Sequence, residues 1–300
     1  MIVLIDFTCC GVKICKKQTL ELKGGISVKQ TWLGLSSFTY PYACGIHPTQ
    51  RPGRLMTPIQ LIEKAQELQV NCVQFSHNMP LDSYSDEELD HIRDYAVAHG
   101  IMLENGMRCM TPERLHRYIQ ISDRMHIPLL RIITDGAGYE PTVEEITSIL
   151  SDAIPFIEKT GVVLGIENHD RLQAREYADI VEQVDHPQVG LVVDSTNSLS
   201  TEETIEEVLK WMAPHCVCFH LKDYTIKRSN SGIGLAIVGA CAGTGRLPIP
   251  AVLDYLRKHA KRDFSTVLES WMECCATLEE TLAQEEAWAK ASVAYVKSLL

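Results

Sequence analysis

No apolar run in these 300 residues approaches the roughly 18 consecutive positions a membrane helix requires. Basic charge is also scarce: 28 Lys and Arg stand against 39 Asp and Glu, a formal net charge of -11. Nucleic-acid binders meet phosphates with a basic face, so DNA and RNA are not expected partners. The opening Met1-Ile2-Val3-Leu4-Ile5 is cut by Asp6 and has no basic flank, a poor match to a secretory leader. The 11 cysteines are odd in number, and their spacing forms neither a disulfide framework nor a zinc pattern. Cys216 and Cys218 alternate within an apolar run, as small core residues do. The expectation is a cytoplasmic protein whose acidic surplus suits cations.

What the chain does have is rhythm. Strand-like apolar runs occur at Trp32–Ser36, Asn71–Phe75, Ile101–Glu104, Leu129–Ile133, Val162–Glu167, Val189–Asp194, Cys216–His220 and Ser265–Glu269. Helix-like segments separate them. Thr57-Pro58 and Thr111-Pro112 place proline where its missing N–H costs nothing, and Ser85-Asp86-Glu87-Glu88 is an N-cap sequence. Eight strands alternating with eight helices mean parallel pairing with right-handed crossovers. Their number and length fit a (β/α)8 TIM barrel over residues 31–300. Residues 1–30 stand apart, with short strand-like runs broken by Gly24-Gly25, and read as a small N-terminal β-hairpin extension.

The competing open sheet would carry a glycine-rich turn after its first strand. Here that strand leads into Ser36-Ser37-Phe38-Thr39-Tyr40-Pro41, which cannot cradle a phosphate. Gly239–Gly245 lacks the Lys-Ser/Thr of a P-loop and reads as a loop entering the seventh helix. The long segment Tyr224–Ala242 reads as a loop that serves as a lid.

Four of the apolar runs end on a polar group: Glu167, Asp194, His220 and Glu269. Alone, a carboxylate at a strand end is more often a helix cap, and a histidine there a hydrogen-bonded core group. In a barrel, however, parallel strands finish on one rim, and strands five to eight are neighbours. Two Glu, one Asp and one His would then converge on one point, with the mixed O/N donors of a divalent cation: Mn²⁺, Mg²⁺, Co²⁺ or Zn²⁺.

Gly165-Ile166-Glu167-Asn168-His169, Val193-Asp194-Ser195-Thr196-Asn197 and Phe219-His220-Leu221-Lys222-Asp223 together resemble the xylose-isomerase-like TIM-barrel family of sugar isomerases and epimerases. Gly243-Thr244-Gly245-Arg246-Leu247-Pro248 and Val267-Leu268-Glu269-Ser270 extend the likeness, which spans roughly residues 32–295. The resemblance implies one divalent ion, Mn²⁺ first, held by Glu167, Asp194, His220 and Glu269. It makes Glu167 and Glu269 the acid/base pair. The implied activity is isomerisation or epimerisation of a keto-sugar by proton abstraction next to a carbonyl, the resulting enediolate being stabilised by the metal. The alternatives are a lyase of a keto-polyol, of inosose or dehydroshikimate type, and a non-catalytic carbohydrate-binding barrel. AP endonucleases share the fold but use further histidines; this chain has Asn197 after Asp194 and no Asp-x-His within Tyr224–Ala242. Family members commonly form homodimers or homotetramers.

Around the rim, His169 shares strand parity with Glu167, Lys222 with His220, and Trp271 with Glu269. With Asn197 they form the expected substrate contacts. The ligand-free half of the barrel should supply a substrate wall from Tyr40, His77, Glu104, Arg108 and Asp135, with His77 and Arg108 foremost. Each of these has a structural alternative, such as an ion pair for Lys222 and lid packing for Trp271.

Overall fold

The structure, a computed structural model, describes residues 32–300; the hairpin expected over residues 1–30 lies outside them. Strands and helices alternate in the order β1 (Trp32–Ser36), α1 (Pro58–Glu67), β2 (Cys72–Phe75), α2 (Asp86–Ala98), β3 (Met102–Arg108), α3 (Pro112–Arg124), β4 (Leu129–Ile133) and α4 (Val143–Thr160). They continue with β5 (Val163–Glu167), α5 (Ala174–Val184), β6 (Val189–Asp194), α6 (Ile205–Met212), β7 (Cys216–Leu221), β8 (Asp223–Arg228) and β9 (Leu235–Ala240). α7 (Ile249–His259), β10 (Ser265–Leu268) and α8 (Leu278–Lys297) end the chain. Local sequence sets the helix starts. Thr57, Ser85, Thr142, Thr204 and Thr277 each close a capping box with a Glu or Gln three residues on, satisfying N–H groups that have no helical partner. Gly161 ends α4 at φ 80°, a conformation glycine adopts without strain.

Eight strands close a parallel barrel in the order β1-β10-β7-β6-β5-β4-β3-β2, a (β/α)8 barrel. The segment expected to be a loop differs. β8 and β9 form a separate antiparallel ribbon, with Ile226 opposite Ile237 and Tyr224 opposite Gly239. Its signal was an apolar alternation on each side of Ser229-Asn230-Ser231-Gly232, the pattern of a hairpin turn. β3 also runs further than expected, to Arg108, so Glu104 is a mid-strand residue rather than a rim residue.

The barrel interior explains how the site is aimed. Leu129, Val192, Val217, Cys218 and Val267, with Val163, form a small apolar cluster separate from the large strand–helix core. Gly165 points into it: a Cβ there would lie 2.8 Å from Val192 and 2.9 Å from Val217. Strand side chains alternate between faces. The residue two positions beyond each lumen residue therefore also points inward, one layer nearer the C-terminal mouth. Leu129, Gly165, Val192, Cys218 and Val267 accordingly place Arg131, Glu167, Asp194, His220 and Glu269 above the plug.

Candidate metal centre

Glu167, Asp194 and His220 are fully buried, and one donor atom from each lies within 4.8 Å of the other two, a set that could hold a metal ion. His220 Nδ1 is 3.3 Å from Glu167 Oε1, 3.9 Å from Asp194 Oδ2 and 3.6 Å from Glu269 Oε1. Glu269 thus borders the same point but stands outside the mutual group of three. Glu269 Oε1 and both His220 nitrogens have no hydrogen-bond partner, while Glu167 Oε2 and Asp194 Oδ2 face the charged groups of Arg131 and Lys222. Buried polar atoms are ordinarily hydrogen-bonded, so this convergence of carboxylate oxygens and imidazole nitrogens with unused lone pairs fits a divalent cation.

Each acidic group is held by named neighbours. Asp194 serves two roles: its Oδ1 accepts from the N–H groups of Thr196 and Asn197 at 2.8 and 2.9 Å, while Oδ2 faces the cluster. The helix-cap alternative is therefore fulfilled by one oxygen and leaves the other available. Asn168 staples β5 to β6, accepting from Asp194 N–H at 2.7 Å and donating to Asp194 O at 3.1 Å. Asn197 donates to Glu167 Oε1 at 3.0 Å and lies 3.3 Å from Lys222 Nζ. The Lys222 ammonium sits 2.8 Å from Asp194 Oδ2 and 3.0 Å from Glu269 Oε2. The expected ion pair and a place beside the site are both realised.

Arg131 is the functional neighbour that strand-end reasoning missed. It is buried in the middle of β4, and its Nε contacts Glu167 Oε2. Arg131 Nη1 lies 3.3 Å from His77 Nδ1. The clue was present as a guanidinium interrupting Leu129-Leu130-Arg131-Ile132-Ile133 at lumen parity. Burial alone would raise the Glu167 carboxyl, but Arg131 and His220 hold it well below the usual carboxylate range. Glu269 is likewise brought down to about 2 against burial, by His220, Lys222 and Arg131. Burial opposes charge on His220, which Glu269 and Glu167 nevertheless keep above its ordinary value. Burial, then Arg131 and Arg108, push His77 down to about 3, so its ring is neutral at neutral pH.

The remaining expected contacts divide. Asn197, Lys222 and Trp271, with Asp170 and Ile237, line a cavity of about 390 Å³ beside the cluster. Trp271 Nε1 donates to Asp223 O at 3.0 Å, tying the β10 loop to the ribbon. His169 lies beyond the end of β5, 3.3 Å from Asp170 Oδ2, with its N–H donating to the Tyr177 hydroxyl; strand parity does not extend to it. Arg108 pairs with Asp135. Glu104 lies below the site and accepts from Gln74 at 2.9 Å, and burial pushes its carboxyl upward. Another hollow, of about 410 Å³, is lined by Gln60, Glu63, Lys64 and Glu67 of α1 and belongs to the outer helical ring, away from these groups.

The Gly243–Pro248 motif has a structural cause. Buried Asp223 accepts from Gly243, Gly245 and Leu247 N–H groups at 3.0, 2.9 and 3.0 Å. A Cβ on Gly245 would meet Asp223 Oδ1 at 2.2 Å, so only glycine permits the close approach. Asp223→Ala orphans these donors and should cost about 3 kcal/mol or more, read as a lowered Tm with earlier proteolysis in the ribbon. An unchanged Tm would refute this role.

A family model described as xylose isomerase-like TIM barrel matches residues 62–299. A curated relative, 3-oxo-isoapionate decarboxylase of Pectobacterium atrosepticum, is 27% identical over 267 residues, covering 88% of this chain and 94% of that protein. A crystal structure of D-psicose 3-epimerase with D-fructose superposes with a TM-score of 0.69 at 16% identity, covering 90% of this chain and 99% of that one. A xylose isomerase-like TIM-barrel protein from Mycobacterium smegmatis in complex with magnesium gives 0.61 at 12% identity, covering 88% and 98%. At these identities the two structures speak for the fold.

Proposed function

The chain belongs to the xylose isomerase-like TIM-barrel family, and from that premise we propose that it is a metal-dependent enzyme forming an enediolate from a small keto-sugar. One observation carries this: two carboxylates, Glu167 and Glu269, flank a single point marked by His220 Nδ1, at 3.3 and 3.6 Å. Glu167, Asp194 and His220 would hold the ion, with Glu269 as the fourth ligand; Mn²⁺ and Mg²⁺ both suit this donor set. Bound there, a divalent ion supplies Lewis acidity toward a carbonyl and its neighbouring hydroxyl.

The protein's own groups do the rest. One glutamate takes the proton beside the carbonyl, and the other returns it on the opposite face, which is epimerisation; return on the same side at the adjacent carbon is isomerisation. Lys222, held protonated against burial by Asp194, Glu269 and Glu167, keeps positive charge beside the reacting oxygens. Asn197 fixes the direction of Glu167. Trp271 and Ile237 cover one side of the cavity and limit the access of water.

A lyase is the second reading, and Arg131 favours it. A glutamate in contact with a buried guanidinium is a weak proton acceptor, whereas bond cleavage that releases carbon dioxide delivers an electron pair without a base. The decarboxylase relative supports the same reading. Incubation with Mn²⁺ in D₂O, against panels of keto-sugars and oxo acids, separates them. Deuterium at the α-carbon with intact carbon count is the epimerase result, and carbon dioxide release the lyase result. Neither with any compound would leave a binding barrel and defeat both readings.

A further inference from the structure

We infer that the mouth contains a carboxylate-binding wall made by Arg131 and Arg108, facing the acidic cluster, which selects, among keto-sugars, those that carry a carboxylate over their neutral counterparts. The inference rests on the enediolate-forming site proposed above and names its substrate class. Arg131 is 2% exposed; its Nε contacts Glu167 and its Nη1 lies 3.3 Å from His77 Nδ1. A guanidinium presents five N–H donors in a planar fork, more than these two contacts use, and a further anionic oxygen would meet the rest.

Arg108 lies one inward layer higher. Gly106 pairs in register with Arg131, and a Cβ on Gly106 would lie 3.5 Å from Arg131 Cδ, so the glycine makes room for the arginine stem. Period two then points Arg108 inward above Gly106. The Arg108 side chain is 37% exposed, and its Nη2 stands 3.7 Å from Asp135 Oδ2, beyond hydrogen-bond reach. Its Nε bonds Asp135 O at 3.3 Å, which anchors the side chain while leaving its outer donors facing the mouth. Arg131 Nη1 lies 3.3 Å from His77 Nδ1, and both arginines, after burial, depress His77.

The mouth is therefore polarised. Asp194 ends β6, Lys222 follows β7 and Glu269 follows β10, while two guanidiniums stand on β3 and β4. A molecule with a hydroxy-ketone at one end and an anion at the other spans this arrangement. A planar monoanionic carboxylate matches the guanidinium fork. A phosphate dianion would bring a second negative charge against Glu167, so the carboxylate is the occupant.

The test is calorimetric titration of the Mn²⁺-loaded full-length protein with L-threonate, threitol and erythritol 4-phosphate. Threonate should bind at least about tenfold more tightly than threitol, the scale of one charge-assisted hydrogen bond. Arg108→Gln should reduce that preference to about twofold or less with unchanged metal content, and Arg131→Lys should retain part of it. A preference surviving Arg108→Gln would place the carboxylate at the metal ligands and overturn the wall. Equal or undetectable binding of threonate and threitol by the wild type would also overturn it. Tighter binding of the phosphate would overturn the choice of carboxylate. Metal content measured on the same samples reports separately on the proposed function, because a wild type without metal counts against that reading and not against the arginines.

Discussion

Glu167→Gln should leave the purified protein without bound divalent ion after dialysis and lower turnover by about 10²–10⁴-fold, the scale of a lost acid–base group. The amide keeps the shape of the side chain but removes the charge that attracts the cation. Asn197 can still hydrogen-bond the remaining carbonyl oxygen, so the fold should persist. His220→Ala should give the same loss of metal by a different route, removing the nitrogen that stands 3.3 to 3.9 Å from three carboxylates. Elemental analysis decides it. If both variants keep the wild-type metal content, these residues do not form the site. If metal is lost while turnover is retained, the chemistry does not depend on the ion.

Arg131→Met should be the most destabilising single change in the barrel lumen. Removing one partner of a buried ion pair leaves the other charge uncompensated, at about 3–5 kcal/mol. Here Glu167 would also face Asp194 and Glu269 with one fewer cation nearby. In metal-free buffer the midpoint should fall by roughly 6–10 °C. The double variant Arg131→Met/Glu167→Gln should recover more than half of the loss, since neither charge then remains. Strict additivity of the two single changes would mean that the contact does not couple them.

Much of this was legible beforehand because barrel sequence is doubly periodic. Alternating apolar runs and capped helices specified the eight β/α units, and the chain closes in that order. The ends of β5, β6 and β7 supplied Glu167, Asp194 and His220, the three groups that the fold brings together. Strand parity does not orient His169, because β5 stops at Glu167. Glu104 was placed at the rim because the strand-like run was ended there, yet β3 continues to Arg108. The ribbon β8–β9 was read as a lid loop because its polar residues masked a short antiparallel alternation.

By itself, then, the sequence determined the barrel, its helix starts and the strand ends on which acidic groups gather, because periodicity and capping are local properties. Tertiary structure alone decided which of those groups meet and what neutralises them. Arg131 reaches Glu167 on the neighbouring strand, Lys222 bridges Asp194 and Glu269, and Asn197 fixes Glu167 from the next loop. Such pairings depend on strand register and barrel closure, which bring together residues from distant parts of the chain. The charge balance inside the mouth, and with it the class of substrate it can hold, is set by those distances.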